Sequence, residues 1–100
     1  MVRHIVMWKL DDSFSPQEKQ TIAKTFQQKL EALQNIMDGI QKVEVIITPT
    51  PSSNVDMMLD SAFDSQAILD AYQVHPKHVE VSSYLKDKVV LRSCMDYVCE

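Results

Sequence analysis

The chain has 100 residues, 45% hydrophobic and 24% charged, with a formal net charge of -4; this is the balance of one globular domain over residues 1–100 rather than of a disordered tail. An acidic chain without a Lys/Arg cluster lacks the concentrated basic charge that attracts nucleic acid, and its longest apolar runs fall far short of the roughly 18 to 20 residues that span a bilayer. Charges at the N-terminus lie inside a strand pattern rather than ahead of an apolar signal segment, so a cytoplasmic location is expected.

Arg3 to Leu10 alternates with a period of two, which puts His4, Val6 and Trp8 on one face of a strand and Ile5 and Met7 on the other. Both faces read as buried. Ser15-Pro16-Gln17-Glu18 combines an N-cap serine, a first-turn proline and a capping-box glutamate, and so starts a helix. Ile22, Phe26, Leu30, Leu33 and Met37 form its apolar stripe, and Gly39, the only glycine, is expected to cap its C-terminus. A second strand runs from about Gln41 to Thr48, with Val43, Val45 and Ile47 on its buried face. The Pro- and Ser-rich stretch from Thr48 to Asn54 is a loop, because its prolines lack ladder donors. A third strand covers Val55 to Phe63, and Asp64-Ser65 caps a helix that His75-Pro76 interrupts, since a residue before proline leaves the α region. Helix restarts at Pro76 and runs to about Lys86, carrying Val79, Ser82, Ser83 and Leu85. Val89 to Val98 is the last strand.

The order β-α-β-β-α-β defines an α+β, ferredoxin-like protomer with helices on one face of an antiparallel sheet. No helix remains for the other face. A domain of this size buries only roughly 60 to 65% of its unfolded surface, so a second copy packing on that face is the economical cover. Cys94 and Cys99 lie an odd number of positions apart in the last strand and leave opposite faces about 16 Å apart along it. They cannot bridge to each other, and read as partly buried thiols of a reducing compartment.

Three segments, Val2-Arg3-His4-Ile5-Val6-Met7-Trp8-Lys9-Leu10, Ala71-Tyr72-Gln73-Val74-His75-Pro76-Lys77-His78-Val79 and Val90-Leu91-Arg92-Ser93-Cys94-Met95-Asp96-Tyr97, resemble the stress-responsive dimeric A/B barrel (Dabb) family. The Tyr-x-x-His-Pro-x-His-Val run is the most specific part. The resemblance implies two ferredoxin-like protomers joined into a dimeric α/β barrel, each with a ligand cavity between sheet and helices. Many members have no established reaction. One plant branch, olivetolic acid cyclase, closes a linear polyketide by aldol condensation, and its catalytic tyrosine and histidine correspond to Tyr72 and His78 here. By the same matching His4 lines the pocket, and Val6 and Trp8 form apolar wall. A polar pocket histidine of the cyclase falls at Met57, and Trp8 replaces an aliphatic residue.

A histidine with an ordinary pKa near 6.5 and a tyrosine hydroxyl supply the base and the oxyanion donor of such a closure. Each candidate also has a structural role open to it. His75 before Pro76 suits a rigid turn as well as a ligand contact, His4 and His78 suit satisfied histidines, and Tyr72 suits a core aromatic. His4, His75 and His78 equal the number of nitrogens a catalytic zinc takes, but no metal-binding spacing accompanies them, so no metal and no cofactor is expected. The six methionines read as core filler. The first functional reading is a homodimeric stress protein that holds a small apolar, carbonyl-containing ligand; the second is a cofactor-independent cyclase or lyase using Tyr72 and His78. A third is a haem-binding or monooxygenase-type barrel, which shares the fold.

Overall fold

A computed structural model describes residues 1–100. The chain order is β1 (Val2–Leu10), α1 (Pro16–Glu31), β2 (Ile40–Ile46), β3 (Met57–Phe63), α2 (Gln66–Val74), α3 (Pro76–Tyr84) and β4 (Val89–Val98). The four strands form one antiparallel sheet in the order β2-β3-β1-β4. This is the expected ferredoxin-like order, with the second helix broken in two. Strand β1 is central and pairs His4 with Ser61 of β3 on one side and with Asp96 of β4 on the other.

Helix α1 starts where local chemistry dictates. The Ser15 side chain accepts from the Glu18 backbone N–H, and the Glu18 carboxylate accepts from that of Ser15, satisfying two donors that the first turn leaves free. Ile22, Ala23, Phe26 and Leu30 then face the sheet. Phe26 meets Trp8 edge to face, ring centres 5.0 Å apart, a favoured arrangement for two ring quadrupoles. Behind them Val6, Val43, Val45, Leu59, Phe63, Leu69 and Tyr72 close the core, each fully buried large side chain contributing about 1.5–3 kcal/mol against exposure.

Gly39 does not cap α1, which ends at Glu31 with Ala32 as its cap. Tight turns carry the chain on, Leu33 N–H to Leu30 C=O and Ile36 N–H to Leu33 C=O. The glycine stands before β2 at a φ of +90°, and a Cβ there would lie 2.3 Å from Ile68 Cδ1. It is required for that conformation and for the approach of α2, not for helix termination. The two middle strands are also shorter than expected at their loop ends, because the proline-rich segment between them leaves the ladder early.

His75-Pro76 breaks the second helix as anticipated. His75 has an extended φ/ψ of -61°/133°, ends α2 and caps α3 by accepting from the Lys77 N–H at 3.1 Å. On α3 the buried position is Val81, with Leu85 just after the helix, while Val79 is 52% exposed; the restart at Pro76 rotates the face away from Val79. The sheet's other face is not buried in the protomer. Met7 is 37% exposed and Met95 69%. Cys94 is exposed and Cys99 half-buried, and both thiols are free.

Candidate functional site

The helical layer stops short of β4, and the gap between the sheet and α1/α3 is a chamber of about 280 Å³, near the lower end of the roughly 300–1,000 Å³ of small-molecule pockets. Val6, Trp8 and Leu59 from the sheet and Phe26 and Leu30 from α1 make an apolar interior; Leu85 and Val89 close one side. His4 and His78 bring the titratable groups, and Ser82, Lys86 and Arg92, all exposed, stand at the mouth. The period-two reading of β1 thus locates three wall residues, His4, Val6 and Trp8. Arg92 reaches the same chamber because it pairs with Trp8 across β1 and β4, and side chains of paired residues leave the same sheet face.

His78 sits on the first turn of α3 and is half-buried. Its Nδ1 is 3.1 Å from the Gln73 carbonyl. A carbonyl only accepts, so Nδ1 carries the hydrogen and Nε2 is left as the acceptor. Burial holds the imidazole below its ordinary pKa, against the opposing pull of the Gln73 carbonyl; the neutral ring near pH 7 is the form that takes a proton.

Tyr72 is fully buried behind that wall rather than on it, packed between Phe63 and His78 with ring centres 5.0 and 4.6 Å away. Its hydroxyl has no hydrogen-bond partner, and burial pushes the phenol above its ordinary range, so it remains a neutral donor. Tyr72 and His78 therefore do meet, across the break at His75-Pro76. His75 itself does not line the chamber; its ring nitrogen is used as the cap of α3.

His4 is 2% exposed. Its Nδ1 donates to Asp96 Oδ1 at 2.5 Å, and Nε2 lies 3.5 Å from the Gln73 amide nitrogen. The three histidines do not gather as a ligand set; His4 groups instead with Cys94 and Asp96. Met57 is buried core at the end of β3 and is absent from the chamber wall. Ser82, Lys86 and Arg92 carry no motif, and only the strand pairing and the α3 rotation reveal them. A second hollow, about 390 Å³, lies beside the proline-rich loop, lined by Met7, Ile46, Met57 and Met58. Its one titratable group, Asp56, is used to accept from the Leu10 N–H at 2.7 Å.

Residues 2–99 match the family model described as the stress responsive A/B barrel domain. A dimeric protein of unknown function with a ferredoxin-like fold, from Bacteroides fragilis, is 33% identical, with 98% of this chain and 95% of that chain covered and a TM-score of 0.91. A Dabb family protein from Mesorhizobium loti is 22% identical over 99% of this chain and 96% of that one, at a TM-score of 0.76. The hydroxynitrile lyase of Passiflora edulis shares the fold at a TM-score of 0.78, with 19% identity and coverage of 99% and 93%. Comparison with curated proteins gives no match.

Proposed function

Because the chain belongs to the stress-responsive A/B barrel family, we propose that it works as a homodimer whose protomers each hold a small apolar, carbonyl-bearing molecule between sheet and helices. The observation that carries this reading is the polarity of the chamber: an interior of Trp8, Phe26, Leu30 and Leu59 ending in His78, Ser82 and Arg92. Apolar walls supply affinity, and the Ser82 hydroxyl and the Arg92 guanidinium can donate to a carbonyl oxygen, with His78 Nε2 beside them as an acceptor. The dimer rests on the open sheet face, where Met7, Leu91, Met95 and Tyr97 are exposed, and on the dimeric description of the Bacteroides fragilis protein. A patch of this kind on a small domain marks a contact surface.

Trp8 is the only tryptophan and lies in the chamber wall, so its emission reports occupancy. Titration with medium-chain ketones and aldehydes should change it saturably, at one site per protomer, and the alkanes of equal length should bind more weakly. An unchanged spectrum with every carbonyl compound, while the protein remains dimeric, would refute the ligand. Sedimentation at micromolar concentration showing only an 11.5 kDa species would refute the dimer.

A second reading, turnover of the bound molecule, is supported by the buried Tyr72, whose ring packs 4.6 Å from that of His78 and whose hydroxyl has no partner. An unsatisfied buried hydroxyl costs about 1–3 kcal/mol, and an oxyanion forming beside it would remove that cost. In this reading the ligand passes the chamber wall, behind which Tyr72 stands; His78 Nε2 then takes a proton next to the carbonyl and the Tyr72 O–H stabilises the enolate oxygen. Loss of product formation in Tyr72→Phe, with ligand affinity kept, is the expected result; equal turnover excludes the role.

A further inference from the structure

At the outer edge of the helix-side face, three side chains of unlike chemistry point their donor atoms at one place. His4 of β1 lies directly opposite Asp96 of β4, and Cys94 is paired with Val6, two positions along the same face. Opposed and diagonal neighbours on one face of an antiparallel pair are within side-chain reach. Here they converge: Cys94 Sγ is 3.7 Å from His4 Nδ1 and 3.5 Å from Asp96 Oδ1, and the nitrogen and oxygen are 2.5 Å apart.

We propose that His4 Nδ1, Cys94 Sγ and Asp96 Oδ1 form a binding site for one zinc-like divalent cation per protomer, with a fourth position left to water or a ligand oxygen. Metal–ligand lengths of about 2.0–2.3 Å at tetrahedral angles require edges of about 3.6 Å for S···N and S···O and about 3.4 Å for N···O. The two sulfur edges already match. Only the His4–Asp96 edge, closed by a hydrogen bond in the free site, must open by about 0.9 Å to reach that length. Asp96 and Cys94 belong to an exposed edge strand, where a side chain can turn by that amount without disturbing packed neighbours.

The ligand set is nitrogen, sulfur and carboxylate, which suits zinc and not magnesium or calcium. Without a cation, Asp96 Oδ1 accepts from both the His4 Nδ1–H and the Cys94 S–H. On binding, the thiol proton leaves to solvent and the S–metal bond forms. His4 stays neutral by changing tautomer: the hydrogen leaves Nδ1 and one is gained at Nε2. Gln73 stands 3.5 Å from that nitrogen, and its amide, turned over, offers an oxygen to the new N–H. An outer partner on the second ring nitrogen is the usual companion of a metal-bound histidine. Thiolate and carboxylate together match the charge of the cation.

The test uses the intact protein, reduced and stripped with a chelator, and two probes, Zn²⁺ by calorimetry and Co²⁺ by absorption. One Zn²⁺ per protomer is expected, together with a Co²⁺ spectrum carrying a thiolate charge-transfer band and intense tetrahedral ligand-field bands. Cys94→Ser should abolish the charge-transfer band and weaken Zn²⁺ at least 10-fold, and Asp96→Asn should weaken it similarly. Both positions are on the exposed strand, so circular dichroism should show the fold retained; Cys99→Ser should behave as wild type. No stoichiometric binding, a Co²⁺ complex without the thiolate band, or a band that survives Cys94→Ser and disappears in Cys99→Ser would each overturn the site.

Discussion

On the helix side of the sheet, Val6, Leu59 and Phe63 are at most 2% exposed and pack against α1 and α2; on the other side the same strands carry Arg3, Lys42, Glu44 and Asp60 beside exposed Met7 and Met95. The helix side is held by apolar packing. The open side is held by an ion network: Asp60 takes Arg3 on one carboxylate oxygen and Lys42, at 2.9 Å, on the other, and Lys42 also reaches Glu44 at 3.2 Å. Despite partial burial, which raises it, the Asp60 carboxyl is held below its usual pKa by Lys42 and Arg3. The contrast teaches that the open face is half prepared for burial: its charges are already mutually neutralised, and its apolar residues still lack cover.

The largest effect should come from the packed side. Phe63→Ala removes a ring in contact with Tyr72 and His4 and should cost about 3–5 kcal/mol in urea denaturation. Asp60→Ala leaves Arg3 and Lys42 without their shared acceptor, and should cost about 1 kcal/mol, because the pair is partly solvated. A loss equal to that of Phe63→Ala would mean that the two faces do not differ in kind. Met95→Asp, on an exposed position, should change protomer stability by no more than about 0.5 kcal/mol while weakening the dimer at least tenfold by sedimentation; unchanged association would remove the open face from the interface.

The smallest effect is a pH dependence of the chamber. His78 in the folded protein has a pKa below the ordinary 6.5. Between that lowered value and 6.5 the unfolded chain binds more protons than the folded one, so stability rises with pH across the window and this contribution is flat above it. Acidification from pH 7 should therefore destabilise the wild type more than His78→Gln. Equal slopes for the two would place His78 in bulk-like solvent and count against a dry chamber.

Features governed by a few neighbouring residues were legible from the sequence: the capping box at Ser15-Glu18, the break at His75-Pro76, the alternation of β1, and the span of β4. Gly39 was misread because a lone glycine near a helix end and a glycine under an incoming isoleucine look the same until Ile68 is placed. That Val81 rather than Val79 faces inward on α3 follows from a helix phase that only the packing of α3 sets. In the site, alternation identified His4, Val6 and Trp8 as neighbours, whereas Arg92 required knowing that β4 lies beside β1.

By itself, then, the sequence determined the elements, their order and one sheet face that no helix covers, since caps, turns and periodicity act over a few residues. Tertiary structure alone decided which elements touch: that Tyr72 stands behind His78 rather than in the wall, that His75 is a cap, and that His4 meets Cys94 and Asp96 from the far end of the chain. The reason is physical. Strand register and helix phase are chosen by burial of the whole apolar surface at once, so side chains some ninety residues apart are brought together by a decision that no local segment carries.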